Sequence, residues 1–263
     1  MAAQPLVLRS YGDPLETYTT NVDGTLNFLR IVSEQNNRPT VLVVTTDKVY
    51  RDSGKTSYSE NDPLGGHDPY SASKAMADIL TQSWAVTNPE MNLLIARAGN
   101  VIGAYDVSPN RLLPDLIRSL DTGQELIVRN PHAVRPWQHV LDCLGGYLAY
   151  MKAAAEGQGL PKVLNFGPGD MNVRTVEDVL RTAAKAIPEL KFRLETLPSH
   201  LKETSNLNLD TTLAETTLFW KNKFNFDRAI LMTLEQVWHF GPLNVAKQQI
   251  REFISLENSE WID

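Results

Sequence analysis

Val41-Leu42-Val43-Val44 is a run of four apolar residues, three of them β-branched, which predicts a short strand buried on both faces of a parallel sheet. The strand, read over 41–46, ends on Thr45-Thr46-Asp47-Lys48. Apolar and polar positions elsewhere alternate between helix and strand periods. Residues 1–20, with Pro5, Gly12 and Pro14, read as a loop with a short helical piece. Asn21-Val22-Asp23-Gly24-Thr25 leads into a helix whose apolar face holds Leu26, Phe28, Leu29, Ile31 and Val32 and which ends near Asn36-Asn37. A helix over 70–87, a strand over 93–97, a helical segment from Pro109 to Leu120 and a strand at Leu126-Ile127-Val128 follow. A helix over 140–155, a strand over 163–166 and a helix over 175–186 complete the alternation, which predicts an α/β fold on a parallel sheet. Past residue 187 the pattern changes to a short strand at Phe192-Arg193-Leu194, a polar stretch to Asp210 and two or three terminal helices. Residues 1–186 are therefore expected to form the core with some lobe segments, and 187–263 mainly a small carboxyl-terminal lobe.

Composition narrows the function classes. The chain has 263 residues, 42% of them hydrophobic, enough for a substantial core. A net charge of −6 argues against a nucleic-acid or anionic-membrane surface, so any phosphate must be met by local arginines. Cys143 is the only cysteine, which rules out an internal disulfide and favours a reducing, cytoplasmic compartment. No apolar run approaches a membrane span, and Met1-Ala2-Ala3-Gln4-Pro5 is not a signal peptide. The five histidines show no zinc-ligand spacing, and no metal site is read. His139 beside Trp137 reads as a structural polar group, and the aromatics from Trp220 to Phe226 as packing of the terminal helices.

Candidate chemistry gathers around the first strand. Reactive side chains collect at the carboxyl ends of strands in open α/β sheets, which is where Thr46, Asp47 and Lys48 lie. An acid beside an amine suits elimination of water, in which a leaving hydroxyl gains a proton and a carbon loses one. After Asn61-Asp62-Pro63-Leu64-Gly65-Gly66-His67-Asp68-Pro69, Tyr70 opens a helix and Lys74 falls four residues on, on the same face. A neighbouring ammonium stabilises phenolate, so Tyr70 is suited to act as a base. Each residue has a plainer reading: a chance Tyr-x-x-x-Lys, a helix-capping Thr46, and a solvated Asp47-Lys48 pair.

Thr45-Thr46-Asp47-Lys48-Val49-Tyr50 and the run from Tyr58 through Tyr70-Ser71-Ala72-Ser73-Lys74 together resemble the CDP-glucose 4,6-dehydratases. These enzymes belong to the extended short-chain dehydrogenase/reductase superfamily. Arg97-Ala98-Gly99-Asn100-Val101-Ile102-Gly103, Arg111-Leu112-Leu113-Pro114-Asp115, Arg135-Pro136-Trp137-Gln138-His139-Val140 and Asn165-Phe166-Gly167-Pro168 continue the likeness, which is collinear from Ala2 to about Phe240. It implies a Rossmann-like doubly wound sheet with a substrate-binding lobe, bound NAD and CDP-glucose or a related nucleotide sugar as substrate. It also implies a homo-oligomer joined through the helices carrying Asn21 and Tyr70. Thr46, Asp47, Lys48, Tyr70 and Lys74 would be catalytic, with Tyr70 and Lys74 also holding the cofactor. Asn100, Arg111, Arg129, Arg135 and Glu203 would bind substrate, the arginines by gripping the diphosphate. Lys202 stands where the family has a histidine.

One family feature is missing. A dinucleotide-binding half begins with a strand, a Gly-rich turn and an acidic residue about twenty positions later, and this sequence has no such unit. By the resemblance the chain starts roughly a hundred residues late, lacks the first three strands, and is expected to show little or no turnover as it stands. The strand at 41–46 would then present an uncovered edge, making the isolated chain marginally stable unless a partner or oligomer covers it. A sibling nucleotide-sugar epimerase or dehydratase and a non-catalytic nucleotide-sugar binder are the rival readings.

Overall fold

The computed structural model describes residues 3–128, 130–169, 173–195, 208–238 and 241–256. The amino-terminal stretch expected as mostly loop holds two short helices, α1 (Val7–Gly12) and α2 (Pro14–Tyr18). Asp13 caps α2 by accepting the Glu16 N–H at 2.8 Å, and Pro14 takes the first helical position, where its missing N–H removes no bond. A π turn over Thr19–Asp23, with Asn21 buried in it, feeds α3 (Gly24–Ser33). Then come β1 (Thr40–Val44), a 3-10 turn at Asp47–Val49, α4 (Pro69–Thr87) and β2 (Asn92–Ala98). β3 (Val101–Ile102), α5 (Leu112–Thr122), β4 (Leu126–Val128), β5 (Val134–Pro136), β6 (Gln138–His139) and α6 (Val140–Ala155) follow. The chain continues through β7 (Val163–Phe166), β8 (Val173–Thr175), α7 (Val176–Ala186) and β9 (Phe192–Leu194), and closes with α8 (Thr212–Leu218), α9 (Phe226–Leu234) and α10 (Pro242–Ser255).

These elements form two compact units that interleave along the chain. The first comprises Met1–Gly99, Gly145–Gly167 and Leu207–Trp220. Its parallel sheet runs β1-β2-β7, in register at Val43↔Ile95 and Ala96↔Leu164. β2 is central, and its residues from Leu93 to Ala98 are all buried. Leu29 on α3 packs with Val41, Met91 and Leu93, while Val49, Tyr50, Tyr58, Ala75 and Leu209 form a second cluster at the other end of β1. Trp220 packs edge-on to Phe166, with centroids 5.2 Å apart.

The second unit comprises Asn100–Leu144, Pro168–Asn206 and Lys221–Asp263. It contains two parallel ribbons, β3-β6 and β4-β9, and one antiparallel ribbon, β5-β8. Leu113, Leu116, Trp137, Val179, Leu180, Phe226, Ile230 and Leu234 share one core. The helical segment expected from Pro109 starts at Leu112 instead, because Asn110 takes a left-handed conformation (φ 61°) and Arg111 is extended. α7 opens with a reciprocal cap between Thr175 and Asp178, whose carboxyl is held below its usual range by the Thr175 hydroxyl.

Candidate active site

β1 delivers the first candidate residues. The Thr45 N–H donates to the Ala96 carbonyl at 2.8 Å in the register Val44↔Ala96, so the Thr45 backbone faces β2 and the Val44 backbone faces away. Lys74 Nζ donates to that outward Val44 carbonyl at 2.9 Å. Past the strand, Thr46 Oγ1 donates to Asp47 Oδ1 at 2.8 Å and accepts the Lys48 N–H at 3.4 Å. Thr46 thus caps the 3-10 turn and also orients the Asp47 carboxylate. Thr46 and Asp47 are buried and Lys48 is half-buried, so this acid–base neighbourhood is not a solvated surface pair.

α4 brings the second set. Asp68 caps the helix, accepting the Ser71 N–H at 2.9 Å, and Pro69 takes its first position. Tyr70 is buried on the first turn; its N–H donates to Ser10 Oγ at 3.2 Å and its carbonyl accepts the Ser73 hydroxyl at 2.7 Å. Asn21 Nδ2 donates to the same Ser73 Oγ at 2.9 Å, tying the π turn to the Tyr70 turn. Gly66 presses bare backbone against this turn: a Cβ there would lie 2.3 Å from both the Ala72 nitrogen and the Ser71 carbonyl carbon. Lys74 shares the Tyr70 face, and burial lowers its pKa to about 8 while the Asp78 carboxylate pulls it back up.

Behind these side chains runs a buried polar network that sequence reading missed. Arg97 reaches Asp78 with Nε at 2.9 Å and Nη2 at 2.8 Å, and Thr45 Oγ1 donates to Asp78 Oδ2 at 3.0 Å. Arg97 Nη1 donates to Tyr50 Oη and to the Glu60 carbonyl, each at 3.0 Å. Tyr50 Oη donates to Asn165 Oδ1 at 2.6 Å, and Asn165 Nδ2 reaches the Tyr58 carbonyl at 2.9 Å. Burial pushes the Tyr50 phenol up to about 12, so it stays a donor, and burial likewise raises Glu60. One signal was available: Arg97 is the only charge in the apolar run from Leu93 to Ala98, and Asp78 falls four residues past Lys74.

Of the expected substrate contacts, Asn100, Arg111 and Arg135 are described, in the second unit. The Asn100 carbonyl accepts the Gln138 N–H at 3.1 Å. Arg111 stands at the start of α5, 3.6 Å from Asp106. Arg135 lies on β5 directly opposite Arg174 on β8, and its Nη1 donates to the Val134 carbonyl at 2.9 Å. Arg129 and Glu203 lie outside the described residues. His139 is fully buried, accepts the Leu141 N–H on Nδ1 at 3.3 Å and meets Phe224 edge-on; burial lowers its pKa to about 4, so it is neutral. Phe224 also packs on Phe253, and Phe226 joins the core, so these two aromatics serve the terminal helices while Trp220 packs on β7.

Comparison with known proteins supplies independent findings. The profile of the NAD dependent epimerase/dehydratase family matches residues 1–167. A CDP-glucose 4,6-dehydratase from Salmonella typhimurium is 36% identical over 269 residues, spanning 97% of this chain and 75% of its own length. The low-salt glycan biosynthesis protein Agl12 of Haloferax volcanii is 29% identical, over 86% of this chain and 70% of its own. Among solved structures, dTDP-glucose 4,6-dehydratase from Bacillus anthracis in complex with NAD superposes with a TM-score of 0.71 at 25% identity, covering 83% of this chain and 68% of that one.

Proposed function

We propose that this chain, which belongs to the NAD dependent epimerase/dehydratase family, works as a nucleotide-sugar 4,6-dehydratase on CDP-glucose, forming CDP-4-keto-6-deoxyglucose and water. The observation that carries the reading is the buried Thr46–Asp47 pair with Lys48 at the carboxyl end of β1, beside an α4 that presents Tyr70 and Lys74 on one face. Tyr70 is the base for the 4-hydroxyl proton, with Thr46 as relay. Once carbon 4 is a ketone, the neighbouring carbon-bound proton is acidic; Lys48 removes it and Asp47 protonates the departing 6-hydroxyl. NAD, when bound, supplies the hydride acceptor and donor, so no net oxidation results. The donor set fits the nicotinamide-ribose end of that cofactor: Tyr70 and the partly buried Lys74 ammonium would hold it. The sequence contains no Gly-x-Gly-x-x-Gly turn for the pyrophosphate.

Asn100, Arg111 and Arg135, with Arg129 and Glu203, are assigned to the nucleotide sugar, the arginines to its diphosphate. Calorimetric titration with CDP-glucose tests this. Arg135→Ala is expected to weaken binding at least tenfold, and equal binding would remove Arg135 from the assignment. Exposed Phe28 and Ile31 on α3 and Met76, Ile79 and Val86 on α4 support a homo-oligomer through this helical face. Ile79→Glu should then lower the sedimenting mass. The single cysteine supports a cytoplasmic setting. One alternative is a binder of nucleotide sugar without turnover, which would bind CDP-glucose yet release no product under any condition.

A further inference from the structure

Asp78 lies one helical turn past Lys74 on α4, the spacing at which a carboxylate and an ammonium on a helix normally meet. Lys74 turns instead to the Val44 carbonyl. The reason is visible in the carboxylate. Oδ1 accepts Arg97 Nη2 at 2.8 Å and Gln82 Nε2 at 2.7 Å; Oδ2 accepts Arg97 Nε at 2.9 Å and Thr45 Oγ1 at 3.0 Å. A carboxylate offers about four acceptor directions, so these donors saturate it. Arg97 cannot swing away, because its Nη1 is held by Tyr50 Oη and the Glu60 carbonyl. Both partners are essentially unexposed, at 1% for Arg97 and 0% for Asp78, so their charges compensate each other inside the protein.

We propose that Arg97 is a positioning residue for Lys74: with Thr45 and Gln82 it saturates Asp78, denies that carboxylate to the ammonium one turn away, and leaves Lys74 at the outward edge of β1. Tyr70 and Asp78 share the α4 face with Lys74, and the turn packed against α4 carries Asp47 and Lys48. Of these, Asp78 is the one whose charge raises Lys74. Compensating that charge limits how far the carboxylate raises the amine. The inference rests on reading Lys74 as the amine that serves Tyr70, but its test observes Lys74 alone.

The test is NMR of protein carrying [13Cε]lysine, with the Lys74 signal assigned through Lys74→Arg and followed against pH. The parent signal should titrate at about 8. Gln82→Leu opens one acceptor position on Asp78 and should move the midpoint upward. Arg97→Met opens two and removes the compensating charge; the midpoint should rise by about one unit or more, a tenfold or larger fall in the ratio of neutral to charged amine. Arg97→Met combined with Asp78→Leu removes the carboxylate too and should return the midpoint to the parent value or below. That double variant also replaces a buried ion pair by apolar groups, a change proteins often tolerate. Should Arg97→Met alone fail to fold, Gln82→Leu and the double variant decide. A midpoint that stays put or falls in Gln82→Leu, or one that rises in the double variant, overturns the proposal. Full turnover by Lys74→Ala would instead remove the catalytic reading of Lys74 and leave these midpoints untouched.

Discussion

Replacing Gly66 by alanine perturbs the site without altering any polar group. The added Cβ would stand 2.3 Å from the Ala72 nitrogen and the Ser71 carbonyl carbon and 2.4 Å from Ser71 Cβ. Non-bonded carbon contacts settle at about 3.5–4.0 Å, so the loop and the first turn of α4 must part by roughly 1 Å. The atoms in the way are mostly backbone of a capped helix turn and cannot swing aside as a side-chain tip would. Overpacking of this kind costs about 1–3 kcal/mol, and the upper end is expected here. That turn carries Tyr70, and a misplacement of about 1 Å at a reacting group costs on the order of a hundredfold in rate. Urea denaturation should show a stability loss of about 2–3 kcal/mol, and any turnover should fall by about two orders of magnitude. Gly24→Ala is the control: at the start of α3 its Cβ meets only the Thr19 carbonyl oxygen at 3.9 Å, and it should be neutral or stabilising by up to about 1 kcal/mol. A Gly66→Ala protein as stable as the parent would refute the close approach of this loop to α4.

Hydrogen exchange along β1 should alternate. The Val43 and Thr45 amides face β2 and should be protected, while those of Leu42 and Val44 face the side where no strand pairs among the described residues and should exchange at least tenfold faster. Equal protection in a verified monomer would mean that this edge is covered. Asp142, buried in α6, is pushed up to about 7 by burial, against the N–H donors of Lys223 and Phe224. Its folded pKa lies above the unfolded value of about 3.9, so the folded state holds the extra proton and stability should fall between about pH 4 and 7, by at most about 4 kcal/mol. Asp142→Asn should flatten that slope in denaturant titrations; an unchanged slope would rule the assignment out.

The part of the fold nearest the chemistry was legible because its signals are local. Val41 to Val44 is a contiguous apolar run, Asp68-Pro69 is a helix start, and the Tyr70–Lys74 spacing fixes a common face. Gly12 and Pro14 misled because each reads as a breaker, whereas one ends α1 and the other begins α2. β3, β5, β6 and β8 have two or three residues each, too few for any period, and exist only through their ladder partners. The polar network behind the site was illegible for a related reason. Tyr50 and Asn165 meet across 115 positions, and no local pattern announces that a tyrosine after one strand will donate to an asparagine in another. Burial of Asp47 also followed from tertiary packing, not from its polar neighbours in sequence.

The most direct test of the dehydratase reading is a single-turnover incubation, with the chain in excess over CDP-glucose and NAD supplied, followed by mass spectrometry of the nucleotide sugar. The parent should convert substrate, however slowly, to a species lighter by one water. Asp47→Asn should slow the loss of water, and Tyr70→Phe should abolish it. A Tyr70→Phe protein that forms the lighter product as fast as the parent would contradict the assignment of Tyr70 and, with it, the reading of this site.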